Sequence, residues 1–277
     1  MSPLRAFTTC RARVGRAESH RKALIGIWNE LIESEPYETG LDIDDRGTGR
    51  LFVTLRYDTF PPDFAIALGE MLYQLRAALD ACIYGAAVHI FRKDPPPNYG
   101  NLGFPLCTTY KTFKKRAHNY NFLPKECIQI IRAVQPYKKV KIGPELKVQN
   151  FNHIFGILDD WSILDRHHRL HLFATYISEI QPLFNLPTGC SLGAVRLARD
   201  GILVAGKPVA TFTLAGFVPG MKVQVNPNLA IDIALDKVRR PRATNDTFAN
   251  RTRAMVFAVK CITRSIEDIV YKSGKGK

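Results

Sequence analysis

The chain has 277 residues, 46% of them hydrophobic, and carries 39 Lys and Arg against 25 Asp and Glu, a formal net charge of +14. That length supports a substantial core in one decorated domain or two small ones, and the basic excess points to polyanionic partners, above all nucleic acid. Six scattered cysteines without a C-x-x-C pair argue against a zinc ribbon or disulfide scaffold, and no run approaches 18 apolar residues, which excludes a membrane-spanning helix.

An N-terminus with Arg5, Arg11, Arg13 and Arg16 lacks the apolar segment of a signal peptide, so a cytoplasmic setting is expected. The first helical pattern covers about residues 18–34, with Leu24, Ile27, Trp28 and Leu31 on one side. Residues 40–44 and 51–57 then flank the turn-rich Asp45-Arg46-Gly47-Thr48-Gly49-Arg50 and read as a β-hairpin.

The most informative stretch runs from Pro62 to Phe91, opened by a Pro-Pro pair suited to a first helical turn. Leu68, Leu72, Leu75, Leu79, Cys82, Ala86 and Ile90 step by three and four, so one face of a long helix is apolar. Arg76 lies on the shoulder of that face. Its guanidinium keeps its proton and must be met by acceptors, and Asp80, one turn on, is the nearest candidate.

Residues 94–103 form a Pro- and Gly-rich loop, and residues 121–134 hold a short helix ending before Pro136. A third long helix is expected over about 148–173. From residue 191 to about 237 the periodicity switches to two, with Asp200-Gly201 as a hairpin turn. The last helix covers about 244–271, where Phe248, Met255, Val256, Val259, Ile262, Ile266 and Ile269 form the stripe, and the Lys/Gly tail behind it should fray. These elements define an α+β chain: a bundle of four long helices with an inserted β-hairpin and a small antiparallel sheet. Residues 1–180 form the helical core with the hairpin, 181–240 the inserted sheet, and 241–277 the final helix and basic tail.

The third helix carries Asp159-Asp160-Trp161-Ser162-Ile163-Leu164-Asp165-Arg166-His167-His168-Arg169-Leu170-His171. Asp160, Leu164, His167 and His171 share one stripe, and His suits proton transfer near neutral pH. His167 and His171 with Asp160 resemble a zinc chelate in spacing, but the H-E-x-x-H glutamate is missing and Arg166 and Arg169 repel a cation. The plainer reading is a charged helix flank with Asp165–Arg169 and Asp165–His168 pairs. No P-loop, G-x-G-x-x-G or G-x-S-x-G motif occurs, so a nucleotide cofactor or serine hydrolysis lacks support. Lys111, Lys114, Lys115 and Arg116 are interleaved with Tyr110, Phe113, Tyr120 and Phe122, a mixture that suits phosphate contacts and base stacking on single-stranded RNA. Arg166 and Arg169 extend the set of candidate RNA contacts.

Ala67-Leu68-Gly69-Glu70-Met71-Leu72-Tyr73-Gln74-Leu75-Arg76-Ala77-Ala78-Leu79-Asp80 resembles a helix of a group of uncharacterised bacterial proteins reading G-D-x-L-x-N-L-R-S-A-L-D-H. The likeness continues through Phe104-Pro105-Leu106, Gln135-Pro136-Tyr137 and Asp165-Arg166-His167, and covers about residues 50–170. The group's R-x-x-x-x-H helix is in turn similar to the hallmark of the HEPN superfamily. That resemblance implies a helical-bundle, metal-independent endoribonuclease of toxin–antitoxin or phage-defence systems, without cofactor and built as a homodimer. The implied substrate is RNA, tRNA among the candidates, and an antitoxin or defence partner belongs to the same picture. Its site would comprise Arg76, Asp80, Asp165 and His167, with Ala81 standing where the motif has its histidine. The implied chemistry is attack of a 2′-hydroxyl on the adjacent phosphate, with the arginine stabilising the charge that develops. Two alternatives remain open beside it: a non-catalytic RNA- or protein-binding module, and a metal-dependent hydrolase using His167, His171 and Asp160.

Overall fold

Helix and strand signals place most elements, and non-local pairing decides how they group. The computed structural model describes residues 6–56, 61–138, 151–167, 173–198, 203, 206–235 and 247–273. Among these, six α-helices are α1 (Thr8–Glu33), α2 (Pro62–Phe91), α3 (Tyr110–Ala117), α4 (Lys125–Ala133), α5 (Phe151–His167) and α6 (Phe248–Ser273). The strands are β1 (Tyr37–Ile43), β2 (Thr48–Leu55), β3 (Phe173–Ile180), β4 (Leu183–Asn185), β5 (Ser191–Leu197), β6 (Pro208–Ala215), β7 (Gln224–Asn226) and β8 (Leu229–Leu235). The chain is α+β.

Two compact units divide it: Met1–Gly26, Pro62–Leu170 and Ala249–Lys277 form the first, and Ile27–Pro61 with His171–Phe248 the second. The boundary between them falls inside α1, at Gly26.

In the first unit, Pro62 and Asp63 open α2 as a proline at the first helical position and a carboxylate near the positive end of the helix should. Arg92, at φ 54°, adopts the left-handed conformation that closes many helices. Leu68, Leu72, Leu75 and Leu79 are fully buried, each contributing about 1.5–3 kcal/mol relative to exposure. Met71, Ala78 and Ile83 are buried as well, so α2 is enclosed around most of its circumference rather than along one stripe. At Gly85 a Cβ would stand 2.4 Å from the Ala6 carbonyl oxygen, and glycine lets the N-terminal turn lie against the helix.

The helix α1 begins at Thr8, well before residue 18, because Cys10, Val14 and Ala17 supply a small apolar stripe among the arginines. The helix expected up to residue 173 ends at His167, and Phe173 instead opens β3, whose residues pair with β8 from Phe173↔Leu235 to Ile180↔Leu229. Helix α3 lies in a segment read from sequence only as a basic cluster; Thr109 caps it by accepting the Thr112 N–H at 3.2 Å.

In the second unit the hairpin turn is held by Asp44, whose Oδ1 accepts the N–H groups of Arg46 at 3.0 Å and Thr48 at 2.8 Å. The sequence reading grouped this hairpin with the helices of residues 1–180. Strand pairing instead continues it into a four-stranded antiparallel sheet of order β1-β2-β6-β5, while β3 pairs with β8 and β4 with β7. Gly49 lies opposite Phe212, and the Phe212 ring covers the space that a side chain at position 49 would fill. Leu51, Val53, Val209 and Ala210 form the buried cluster beneath. That burial is the reason β2 joins β6: alone, the hairpin has no apolar surface to cover this face. The Asp200-Gly201 turn lies outside the described residues.

Candidate functional site

Arg76 sits on α2, 21% exposed at its side chain, and its Nη1 is 3.4 Å from Oδ1 of Asp159 on α5, which is 12% exposed. The partner is therefore Asp159 across the helix pair, not Asp80 along α2. Nη1 is buried without a hydrogen bond among the described residues, so the contact is an ionic one. Packing of α2 against α5 sets this distance, because each helix brings its off-pattern charge to the shared face.

Asp80 has another task. Its Oδ1 accepts the Phe104 N–H at 2.8 Å, and a Cβ at Gly103 would stand 3.3 Å from the same oxygen. The Tyr120 hydroxyl donates to the Gly103 carbonyl at 2.6 Å, and burial pushes its pKa up to about 12, with Arg116 opposing. The next residues of the loop are held by Gln135, which is fully buried. Its Nε2 donates to the carbonyls of Pro105 and Ile131, both at 2.8 Å, and its Oε1 accepts the Cys107 N–H at 3.0 Å. The segments Leu79-Asp80, Phe104-Pro105-Leu106 and Gln135-Pro136-Tyr137, separate in sequence, thus meet as one fastening of the loop to α2 and α4. Sequence reasoning quoted Gln135 only as part of a motif and gave it no role; a glutamine just past a short helix offers no local signal of such burial.

Asp165 lies against α2 at Gly69, where a Cβ would come within 2.7 Å of Asp165 Oδ1. The absence of a side chain at position 69 is what admits the carboxylate. A cleft of about 540 Å³ is lined by Arg76, Asp80, Ala81 and Asp165 together with Arg13 and Tyr73, among others. Four of the candidate residues on these two helices therefore share one cleft: Arg76, Asp80, Ala81 and Asp165. His167 ends α5, but its side chain and that of Arg166 lie outside the described residues, as do Arg169 and His171 altogether. Among the described residues the charges lining the cleft are balanced, with Arg13 and Arg76 against Asp80 and Asp165. Arg13 donates to Gln74 Oε1 at 3.0 Å and stands 5.9 Å from the Tyr73 ring centre. Among the described residues no group of three His, Cys, Asp or Glu converges as a metal site.

The basic helix α3 has a different character. Lys111, Lys114, Lys115 and Arg116 are all exposed, while Phe113 is buried and anchors the helix. Tyr110 is 51% exposed, meets the Tyr137 ring edge-on at 5.9 Å, and lies 5.6 Å below the Arg132 guanidinium. Cations and a half-open aromatic face thus stand side by side on α3 and the end of α4.

No protein-family model, curated protein or solved structure matches the chain.

Proposed function

We propose that the chain is an RNA-binding protein on a HEPN-like helical bundle, in which the Arg76–Asp80 segment braces the fold and no longer cleaves. The observation that carries this reading is the commitment of both charges: Arg76 to Asp159, and Asp80 to the Phe104 N–H. Ala81 adds no proton donor or acceptor to the cleft. RNA contact falls instead to the exposed face of α3, with Lys111, Lys114, Lys115 and Arg116 on phosphates and Tyr110 available for stacking. In this reading α1, α2, α5 and α6 are the four bundle helices, two copies pair, and the protein works in the cytoplasm beside a defence or antitoxin partner.

Anisotropy titration of labelled tRNA and duplex DNA at 50 and 200 mM salt tests it. Neutralising about four phosphates should weaken binding about 50–150-fold across that range. Replacing Lys111, Lys114 and Lys115 together by Glu should abolish it. No binding at the lower salt, or unchanged binding by the triple variant, would end the RNA reading.

A second reading, a metal-independent endoribonuclease, is favoured by one observation: Arg76, Ala81 and Asp165 line the same cleft. It requires Ala81→His to produce tRNA cleavage in the presence of EDTA, and a further Arg76→Ala change to remove it. An imidazole so placed is worth about 10²–10⁴-fold in rate. A folded, inert histidine variant leaves binding alone.

A further inference from the structure

A second groove, of about 610 Å³, runs between α1 and α6. The two helices are antiparallel there, since Phe7 meets Tyr271 edge-on at 5.6 Å and Arg11 pairs with Glu267. The lining follows steps of three and four on both helices, from Arg11 to Lys22 on α1 and from Arg253 to Glu267 on α6. At 1.5 Å per residue the α6 side is about 20 Å long, four turns of a helix.

The floor is apolar: Val14 and Val256 are buried, and Phe257 is 47% exposed. The rim is cationic. Glu18 is already held by Arg21 at 2.8 Å through both of its oxygens, which keeps its carboxyl below the usual range, and Glu267 is taken by Arg11. Lys22, Arg253, Lys260 and Arg264 therefore line the groove without a hydrogen-bonded carboxylate among the described residues. Gly15 adds an independent sign. It sits inside α1, where glycine weakens a helix, yet a Cβ there would meet nothing within 4 Å. Among the described residues nothing calls for glycine at this position, and the missing side chain leaves the groove open there to the close approach of another backbone.

We propose that this groove docks an acidic amphipathic helix from a partner protein. Apolar anchors at helical spacing would enter between Val14, Val256 and Phe257 while carboxylates reach the four rim cations, the arrangement of a helix laid in a groove. A second copy of this chain is a poor occupant, because a +14 molecule meets the same positive rim with its own excess. RNA is the poorer occupant, since Val14 and Val256 present no face for base stacking and Phe257 is the single aromatic among the lining residues.

The test uses the full chain and a fluorescein-labelled helical peptide of about 18 residues, five turns, with leucine at every third and fourth position and glutamate between. Micromolar binding is expected, weakened at least about tenfold by Gly15→Leu and by the pair Lys260→Glu with Arg264→Glu, each variant being checked for helix content by circular dichroism. Should Gly15→Leu not fold, the exposed-site change Phe257→Glu carries the same prediction. A peptide with lysine in place of glutamate should prefer the charge-reversed variant. Replacing Lys114 and Lys115 by Glu should leave the peptide affinity unchanged, which separates this groove from α3. Failure of the acidic peptide to bind, or binding indifferent to these groove variants, overturns the proposal. So does displacement of the peptide by a uridine 20-mer whose own affinity falls with the same charge reversal, since the groove would then be a nucleic-acid site.

Discussion

Replacing Arg76 by Met separates a brace from a binding site. The guanidinium lies 3.4 Å from Asp159, with 21% and 12% of the two side chains exposed. At that separation the attraction is about 5 kcal/mol at an effective dielectric of 20 and about 1 kcal/mol in water, and a half-enclosed pair falls between. Met keeps much of the aliphatic volume and removes the charge that faces Asp159. Losing one partner of a fully buried pair costs about 3–5 kcal/mol, so this partly open pair should cost about 2–4 kcal/mol. The melting temperature should then fall by about 5–15 °C. Adding Asp159→Asn should recover part of the loss, because the neutral amide no longer needs a counter-charge. Urea unfolding followed by circular dichroism measures both variants, and tRNA anisotropy is recorded beside it. A brace predicts reduced stability with RNA affinity intact. Stability within about 0.5 kcal/mol of the parent, together with RNA affinity lowered tenfold or more, would refute the brace and make Arg76 a ligand contact.

Three further outcomes follow from the same unit. Gln135→Leu strands the Cys107 N–H and the Pro105 carbonyl in the interior and should cost about 3–5 kcal/mol in urea unfolding; a loss under about 1 kcal/mol would mean that the loop is fastened elsewhere. Gly69→Ala drives a methyl group against the Asp165 carboxylate while gaining about 1 kcal/mol of helix propensity, so its net cost should stay below about 2 kcal/mol, and with Asp165→Ala already in place the same change should stabilise, which the paired unfolding curves would show. Tyr120 is raised to about 12 in the folded chain from an ordinary value of 10.0, so the unfolded chain ionises first and stability falls between about pH 10 and 12. Buried Cys127, raised to about 11 from 9.0, acts in the same direction from pH 9 upward, so only the difference between the parent and Tyr120→Phe isolates the tyrosine. Equal alkaline slopes in the two proteins would count against the Tyr120 shift.

Local chemistry was legible where one segment carries its own signal. Pro62, Asp63 and the leucine steps delimit α2 at the residues where it is found, and Asp45-Arg46-Gly47 marks the hairpin turn. The off-pattern Arg76 was equally visible as a charge needing a partner. Its partner was not, because i,i+4 spacing ranks Asp80 first, whereas α2–α5 packing brings Asp159 closer and leaves Asp80 to a loop N–H. Gln135 and Gly69 were silent for a related reason: their roles exist only once a second segment arrives.

The amino-acid order by itself determined the α+β class, the long helices and the basic excess, since periodicity, caps and charge reside in short stretches of chain. Tertiary structure alone decided that the hairpin completes a sheet with β6, that the three motif segments converge on one loop, and that Arg76 is neutralised across helices. These are contacts between residues far apart in sequence. Such partners are chosen by which apolar faces must be covered together, and periodicity within a single segment does not encode that choice.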